Sequence, residues 1–378
     1  MLERLAFYSN YDYFVFVLDH SEDFKMIIFG RRHRSLISLI AVLFIGCCYL
    51  YYYHHKTSYG LVEKNADVFV DHIPVININA SALRNKEFIS CRERKQKLVK
   101  SVYSFSNDKW VKNADVCAAC FNFPRASLKT DFGVTPIFVY ERSKDIWVSS
   151  SLQDRGSFES EKSQIIFKMM KEDHSLQLID IGANIGVYTL SAAKAGRRVL
   201  AVEALDRNLQ HICASIMEGS LQNNVHLVHN AITNGHTTVN LGVDENNMGG
   251  TFVDVEASHI KKLKLGRAKG TYGKVNTITM DDLLDLPVIR HFQKVFLKMD
   301  IEGFEARALQ NSSKFFDKVN VSAFIMEWEF HSGQKTANEI IEFMTKRKFK
   351  PFSVSINMTP LDLAKNTSWG YDVLWLPN

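Results

Sequence analysis

Asp180 stands in Leu178-Ile-Asp-Ile-Gly-Ala-Asn-Ile-Gly-Val-Tyr-Thr-Leu190, where an apolar run, a pair of glycines and the start of a helical pattern follow one another without a gap. Gly182 and Gly186 have no Cβ, so the turn they bracket tolerates positive φ and lets a ligand approach the backbone closely. Asp180 and Asn184 add polar groups at the carboxyl end of the strand. Such a turn cradles a nucleotide-like cofactor, and two kinds compete for it. A dinucleotide turn, G-x-G-x-x-G, would want a third glycine at Val187 or Tyr188. The acidic-x-Gly-x-x-x-Gly turn of S-adenosylmethionine folds fits Asp180, Gly182 and Gly186. An acidic residue here also opposes a pyrophosphate and suits a methionine ammonium. Glu203 closes the next apolar run, Arg198 to Val202, where its carboxylate is placed to accept both ribose hydroxyls. NAD folds share that carboxylate, so it does not discriminate, but it argues against a tight connection that binds nothing.

A second carboxylate cluster lies far downstream. Val295-Phe-Leu-Lys-Met-Asp-Ile-Glu-Gly-Phe-Glu305 is another apolar strand, with Asp300, Glu302 and Glu305 crowding its exit. Carboxyl edges of parallel strands border the crevice where open α/β folds bind ligands. Glu305 is read as opening the next helix, where it complements the dipole. Asp300 and Glu302 sit earlier, at the strand exit, and are assigned to the site.

These residues resemble the FkbM-type S-adenosylmethionine-dependent methyltransferases. The pieces that match, in order, are Asp180-Ile-Gly-Ala-Asn-Ile-Gly186, Val202-Glu-Ala204, Asn230-Ala-Ile232, Thr277-Ile-Thr-Met-Asp-Asp-Leu283 and Lys298-Met-Asp-Ile-Glu-Gly-Phe-Glu305. The resemblance spans roughly Leu178 to Trp328, with an echo in Tyr371-Asp-Val-Leu-Trp375. Lys-x-Asp-x-Glu-Gly-x-Glu is its specific part, and a polar insert from His259 to Lys274 departs from it. The resemblance implies methyl transfer, usually to an oxygen, often on sugars or other hydroxylated small molecules.

On that basis Asp180, Gly182, Asn184 and Gly186 hold the methionine end of S-adenosylmethionine and Glu203 the ribose, while Asn230 and Ala231 border the adenine. Asn230 reads equally well as an ordinary strand-end turn residue. Methylation of an alcohol needs its oxygen aligned with the donor and a group that takes its proton. Asp300 is the first candidate for that base and Glu302 the second. Lys298 is expected to be buried along the strand. Glu327, Glu329 and His331 alternate on one face of the following strand. They serve as base, as substrate contacts or, least favoured, with Asp300 as a divalent metal site; no metal ligand is assigned.

The elements that must position these residues alternate as in a doubly wound fold. Strands are expected at Leu176–Ile181, Arg198–Val202, Val225–His229, from Val295, at Val321–Phe330, Phe352–Ile356 and Val373–Leu376. Helices are expected from Val187 to about Ala195, from Asp206 through Met217, after the cap Thr279, and at Thr336–Lys348. A helix starting at Glu159 and Glu161 and ending near Lys171 should cover one wall of the crevice. Thr237–Val243 and Gly250–Val255 read as a hairpin, as do Ile137–Tyr140 and Ile146–Ser149, while Glu87 to Lys112 reads as helical. The fold class is a Rossmann-like doubly wound α/β sheet of seven strands, one antiparallel, preceded by a single transmembrane helix and a small accessory segment.

Composition bounds the rest. A chain of 378 residues, 46% hydrophobic, buries a full core without disulfides. A net charge of +5 without a basic, aromatic-interleaved stripe argues against nucleic acid as a partner. Leu36 to Tyr53 carries no charge and is long enough to span a bilayer, with Arg31, Arg32 and Arg34 before it and only Lys56 and Lys64 soon after. The expected organisation is therefore a cytosolic segment 1–34, a transmembrane helix 35–53, a stem and accessory segment 54–130, and a methyltransferase domain 131–378. The expected setting is that of a single-pass type II membrane protein of the Golgi or endoplasmic reticulum, with its catalytic domain in the lumen. The run Tyr13 to Leu18 is too short to span and has no assigned role. Asn79, Asn311, Asn320, Asn357 and Asn366 head glycosylation sequons, and in an oxidising lumen Cys91 would bridge to Cys117 or Cys120. Reduced, partly buried thiols are the equal alternative, and a redox role for Cys117-Ala-Ala-Cys120 is disfavoured.

The expected function is O-methylation of a glycan, glycolipid or other small-molecule acceptor. Two other classes stay open: a membrane-tethered binding protein that keeps the fold without activity, and a nicotinamide-dependent oxidoreductase.

Overall fold

The computed structural model describes residues 5–10, 13–20, 23–30, 99, 101–118, 122–244, 246–254 and 273–378. The expected transmembrane helix, the stem, Cys91, Cys120 and residues 259–272 of the insert lie outside them. Among the described residues no helix is long and apolar enough to cross a membrane. The chain divides into two units, 1–77 and 78–378. In the first, β1 (Leu5–Asn10), β2 (Tyr13–His20) and β3 (Asp23–Gly30) form an antiparallel sheet, so the run at Tyr13 is its middle strand.

The second unit opens with two hairpins, β4 (Val102–Ser106) with β5 (Lys109–Lys112) and β6 (Arg125–Thr130) with β7 (Gly133–Phe138). Helices α1 (Val148–Arg155) and α2 (Ser160–Glu172) lead into β8 (Leu176–Ile181), α3 (Val187–Lys194), β9 (Val199–Glu203), α4 (Asp206–Glu218) and β10 (Val225–His229). A smaller sheet follows, from β11 (Ala231–Ile232), β12 (Thr238–Asp244), β13 (Asn247–Asp254) and β14 (Gly273–Ile278). The chain then returns through β15 (Lys294–Met299), α5 (Glu305–Gln310), α6 (Ser313–Lys318), β16 (Val321–Glu327), α7 (Lys335–Lys346), β17 (Phe349–Ser353) and β18 (Asp372–Pro377).

The main sheet has the order β17-β18-β16-β15-β8-β9-β10-β4-β5. From β8 the chain winds outward through β9 and β10, then crosses back to β15 on the other flank, so the order reverses between β8 and β15. That reversal opens the crevice over their carboxyl ends. Alternate residues of the central strands enter opposite layers, as a period of two requires. Leu178, Ala201, Leu227 and Phe296 pack under one helical layer, and Ile179, Val202, Val228 and Leu297 under the other. Both faces are dry, which is why these strands read as unbroken apolar runs.

Seven of these strands fall where strands are expected, although β17 starts three residues before the expected Phe352 and ends at Ser353, and β18 is their antiparallel member. The sheet is nevertheless nine-stranded, because β4 pairs in parallel with β10 and brings β5 with it. The helical reading of residues 87–112 therefore fails over 102–112. Asn107 and Asp108 take φ of 50° and 57°, the two-residue turn that joins hairpin strands and ends any helix. The expected pairing of Ile137–Tyr140 with Ile146–Ser149 is also corrected. Asp145 accepts hydrogen bonds from the amides of Trp147, Val148 and Ser149 and so starts α1, while β7 pairs with β6 instead.

Candidate active site

The crevice is built first from backbone. Gly182 (φ 76°) follows β8, and a Cβ there would lie 1.8 Å from the Asp300 carbonyl oxygen. The glycine is thus dictated by the close approach of two strand ends, which the Asp300 amide closes by donating to the Ile181 carbonyl (3.1 Å). Gly186 (φ 93°) opens α3 against Ile212 of α4, where a Cβ would have 3.0 Å. Asn184 between them is itself left-handed (φ 53°), its Oδ1 accepting from the Ile185 amide.

Two buried lysines hold the floor. Lys298 Nζ donates to the Gly182 carbonyl (2.7 Å) and lies 3.6 Å from Asp180 and 3.7 Å from Asp300. Lys162, on α2, reaches Asp372 (2.8 Å), Glu159 (3.1 Å) and Asp300 (3.5 Å). Burial alone would strip both of charge, but the surrounding carboxylates hold their pKa values above the ordinary lysine value. Asp180 is fully buried; one oxygen accepts from Thr189 and Oδ1 has no hydrogen-bond partner. Tyr188 donates to Glu159, and the Lys298 ammonium lies 5.7 Å from its ring centre.

The candidate bases differ in electrostatics. Burial works against the charge on Asp300, yet Lys298 and Lys162 beside it bring its pKa below the usual carboxylate value. Glu302 is pushed up to about 8, first by burial and then by the charges of Asp300 and Glu305. Its backbone is left-handed (φ 56°), an uncommon conformation for a residue with a side chain. Burial and the charges of Asp300 and Glu302 push Glu327 well above the usual carboxylate value, and its buried Oε2 has no hydrogen-bond partner among the described residues.

Glu203 ends β9 inside the crevice. Its Oε2 accepts from the Asn184 amide (2.8 Å), and Oε1 from the Leu205 amide (2.9 Å) and Asn208 Nδ2 (3.2 Å). Burial pushes its pKa up to about 7. One lobe of the crevice is lined by Gly182, Asn184, Tyr188, Lys298 and Glu302. A second is lined by Ala204, Asn230, Ala231, Ile232 and Phe252. Glu203 and Asp300 border both. Asn230 lines its lobe, but its side chain is engaged elsewhere, gripping the amide and carbonyl of Phe105 and the carbonyl of Asn276.

Several expectations are corrected here. Strand β16 stops at Glu327, because Trp328 to Gln334 turn back on themselves, so Glu329 and His331 do not alternate with Glu327 on a strand. His331 instead pairs with the buried Glu305 (2.8 Å), whose other oxygen accepts from the Ile301 amide. Glu305 does open α5, as expected. Cys117 is bonded to Cys213 and not to Cys91 or Cys120, because α4 packs against the turn holding Cys117, with Cα atoms 5.4 Å apart. Glu159, Lys162, Tyr188, Asn208 and Asp372 were not read as site residues. Asp372 had a signal, since it lies in the echo at Tyr371-Asp-Val-Leu-Trp375.

Comparison with known proteins bears on this geometry. Residues 180–351 match the methyltransferase FkbM domain, the family the sequence resembles. No curated protein matches the chain. Similar solved structures include a T. thermophilus 16S rRNA methyltransferase in complex with AdoMet and guanosine, at 10% identity and a TM-score of 0.35, covering 68% of this chain and 51% of that one. The chain thus spans about half the length of that protein. The O-methyltransferase TomG from Streptomyces achromogenes, in complex with SAM, is 10% identical with a TM-score of 0.32, covering 59% of this chain and 81% of its own. An O-methyltransferase from Bacillus cereus in complex with SAH is 12% identical with a TM-score of 0.29, covering 59% and 82%.

Proposed function

We propose that this chain, which carries a methyltransferase FkbM domain, transfers a methyl group from S-adenosylmethionine to a hydroxyl of a glycan, glycolipid or similar small molecule. The observation that carries the reading is the sign of the crevice. Asp180, Asp300, Glu159 and Asp372 outnumber Lys162 and Lys298, so the floor attracts a cation and repels a pyrophosphate. Asp180 Oδ1 lies buried 3.6 Å from the Lys298 ammonium, with no hydrogen-bond donor among the described residues.

Asp180, Gly182, Asn184 and Gly186 would hold the methionine end of the donor, Glu203 the ribose, and the lobe at Ala231 and Ile232 the adenine. The donor supplies an electrophilic methyl group. The protein must supply a base for the acceptor hydroxyl, and here Glu302 is better matched than Asp300. A base works best with a pKa near the operating pH, and Glu302 at about 8 meets this, whereas two lysines make Asp300 weakly basic. Asp300 then acts as the anchor that keeps both lysines charged and the turn fixed. Glu327, pushed up by burial and by the Asp300 charge, would hold a proton in the same cluster.

The test is calorimetric binding of S-adenosylmethionine, S-adenosylhomocysteine and NAD, followed by labelled-methyl transfer to an extracted glycan and lipid pool. Donor binding with transfer that rises with pH through about 8 is expected, and Glu302→Gln should lower the rate at pH 8 about 10²-fold or more. NAD binding with no donor binding would overturn the reading, and donor binding without turnover would make this a binding protein.

We also propose a lumenal, membrane-anchored setting. The charge-free run at residues 36–53 and the Cys117–Cys213 bond, a bond of oxidising compartments, support it.

A further inference from the structure

Thr251 carries a hydroxyl that is buried and has no hydrogen-bond partner among the described residues. It lies on β13, paired with Val243 of β12 beside the bulge that interrupts the β12–β13 ladder. This part of β13 borders the crevice. A Cβ on Gly249 would meet Asn184 Oδ1 at 2.5 Å, and Val253 packs against the cluster that holds Leu205 and Leu241. Thr251 borders both lobes, as Glu203 does, so the two residues share the waist between them. Asn208 ties the hairpin there, donating from Nδ2 to both Glu203 and the Gly249 carbonyl (3.0 Å).

Glu203 leaves the waist short of acceptors. A carboxylate offers about four lone-pair sites, and the amides of Asn184 and Leu205 with the Asn208 side chain fill three. One site remains, on Oε2. A ribose brings two vicinal hydroxyls, and burying the second without a partner would be costly. We infer that Thr251 is a donor-binding residue: its Oγ1 takes one ribose hydroxyl while Glu203 takes the other, so the β12–β13 hairpin forms part of the nucleoside site. The inference rests on the S-adenosylmethionine reading and adds to it a contact from outside the main sheet.

The experiment measures S-adenosylhomocysteine binding by calorimetry to the wild-type protein, Thr251→Val and Thr251→Ser, with the 2′-deoxy and 3′-deoxy forms of the ligand alongside. Valine keeps the shape and removes the hydroxyl, so affinity should fall about tenfold, and serine should recover most of it. In the wild type each missing ribose hydroxyl should weaken binding; in Thr251→Val one of the two losses should vanish. Equal affinity of wild type and Thr251→Val overturns the inference. So does a weaker Thr251→Val that retains both deoxy penalties, since that marks a structural effect only. A wild-type protein that binds none of these ligands fails the donor reading itself, a result distinct from either.

Discussion

Glu203 illustrates how burial sets chemistry at a single residue. Three donors stabilise its charged form, yet desolvation outweighs them and the carboxyl titrates near 7. A ribose hydroxyl donates to the carboxylate and therefore favours its ionised form. Binding should lower this pKa, so donor affinity should decline as pH falls from about 8 to 6, with protons released on binding just below pH 7. Calorimetry in buffers of different ionisation enthalpy reads that release directly. Affinity independent of pH across this window, with no release, would remove Glu203 from the ribose contact.

At the scale of elements, the site depends on how closely β8 and β15 end together. Gly182 has the Asp300 carbonyl where a methyl group would go, whereas Gly196, at nearly the same φ (77° against 76°), has open space around it. The two glycines separate backbone strain from collision. Gly196→Ala should cost about 1–2 kcal/mol, and Gly182→Ala at least about 2–4 kcal/mol as the strand ends are forced apart. Urea unfolding of both variants measures the difference. Equal losses would show that β8 and β15 move apart freely and that the crevice floor is less fixed than Lys298 and Asp300 make it.

Across the whole molecule, the Cys117–Cys213 bond closes a separation of 96 residues and ties the segment before β6 to α4, the helix that starts three residues after Glu203. Reducing it should cost about 2–5 kcal/mol, visible as a lower urea midpoint in dithiothreitol. The lumenal setting has its own check. Asn320 and Asn357 are exposed sequon residues, so glycosidase treatment of membranes should increase electrophoretic mobility. An unchanged band would argue against that compartment.

Strands β8 and β10 were expected with the bounds they have, and Glu203 and Asp300 border the crevice at the strand ends, while Asp180 is buried beneath it. The sequence alone could determine this because a central parallel strand is buried on both faces, which forces a continuous apolar run, and because a ligand turn needs its glycines within a few residues. Hairpin β4–β5 departs from the helical expectation because Asn107 and Asp108 take positive φ, which closes a two-residue turn and ends a helix. Other features had no local signature. Lys162 meets Asp300 across 138 residues, Glu305 meets His331 across 26 and Cys117 meets Cys213 across 96. Charges and thiols carry no period that names their partner; only the packing of helices onto the sheet brings them within reach. The roles proposed for Glu302 and Thr251 rest on burial, which exists only once the chain is folded.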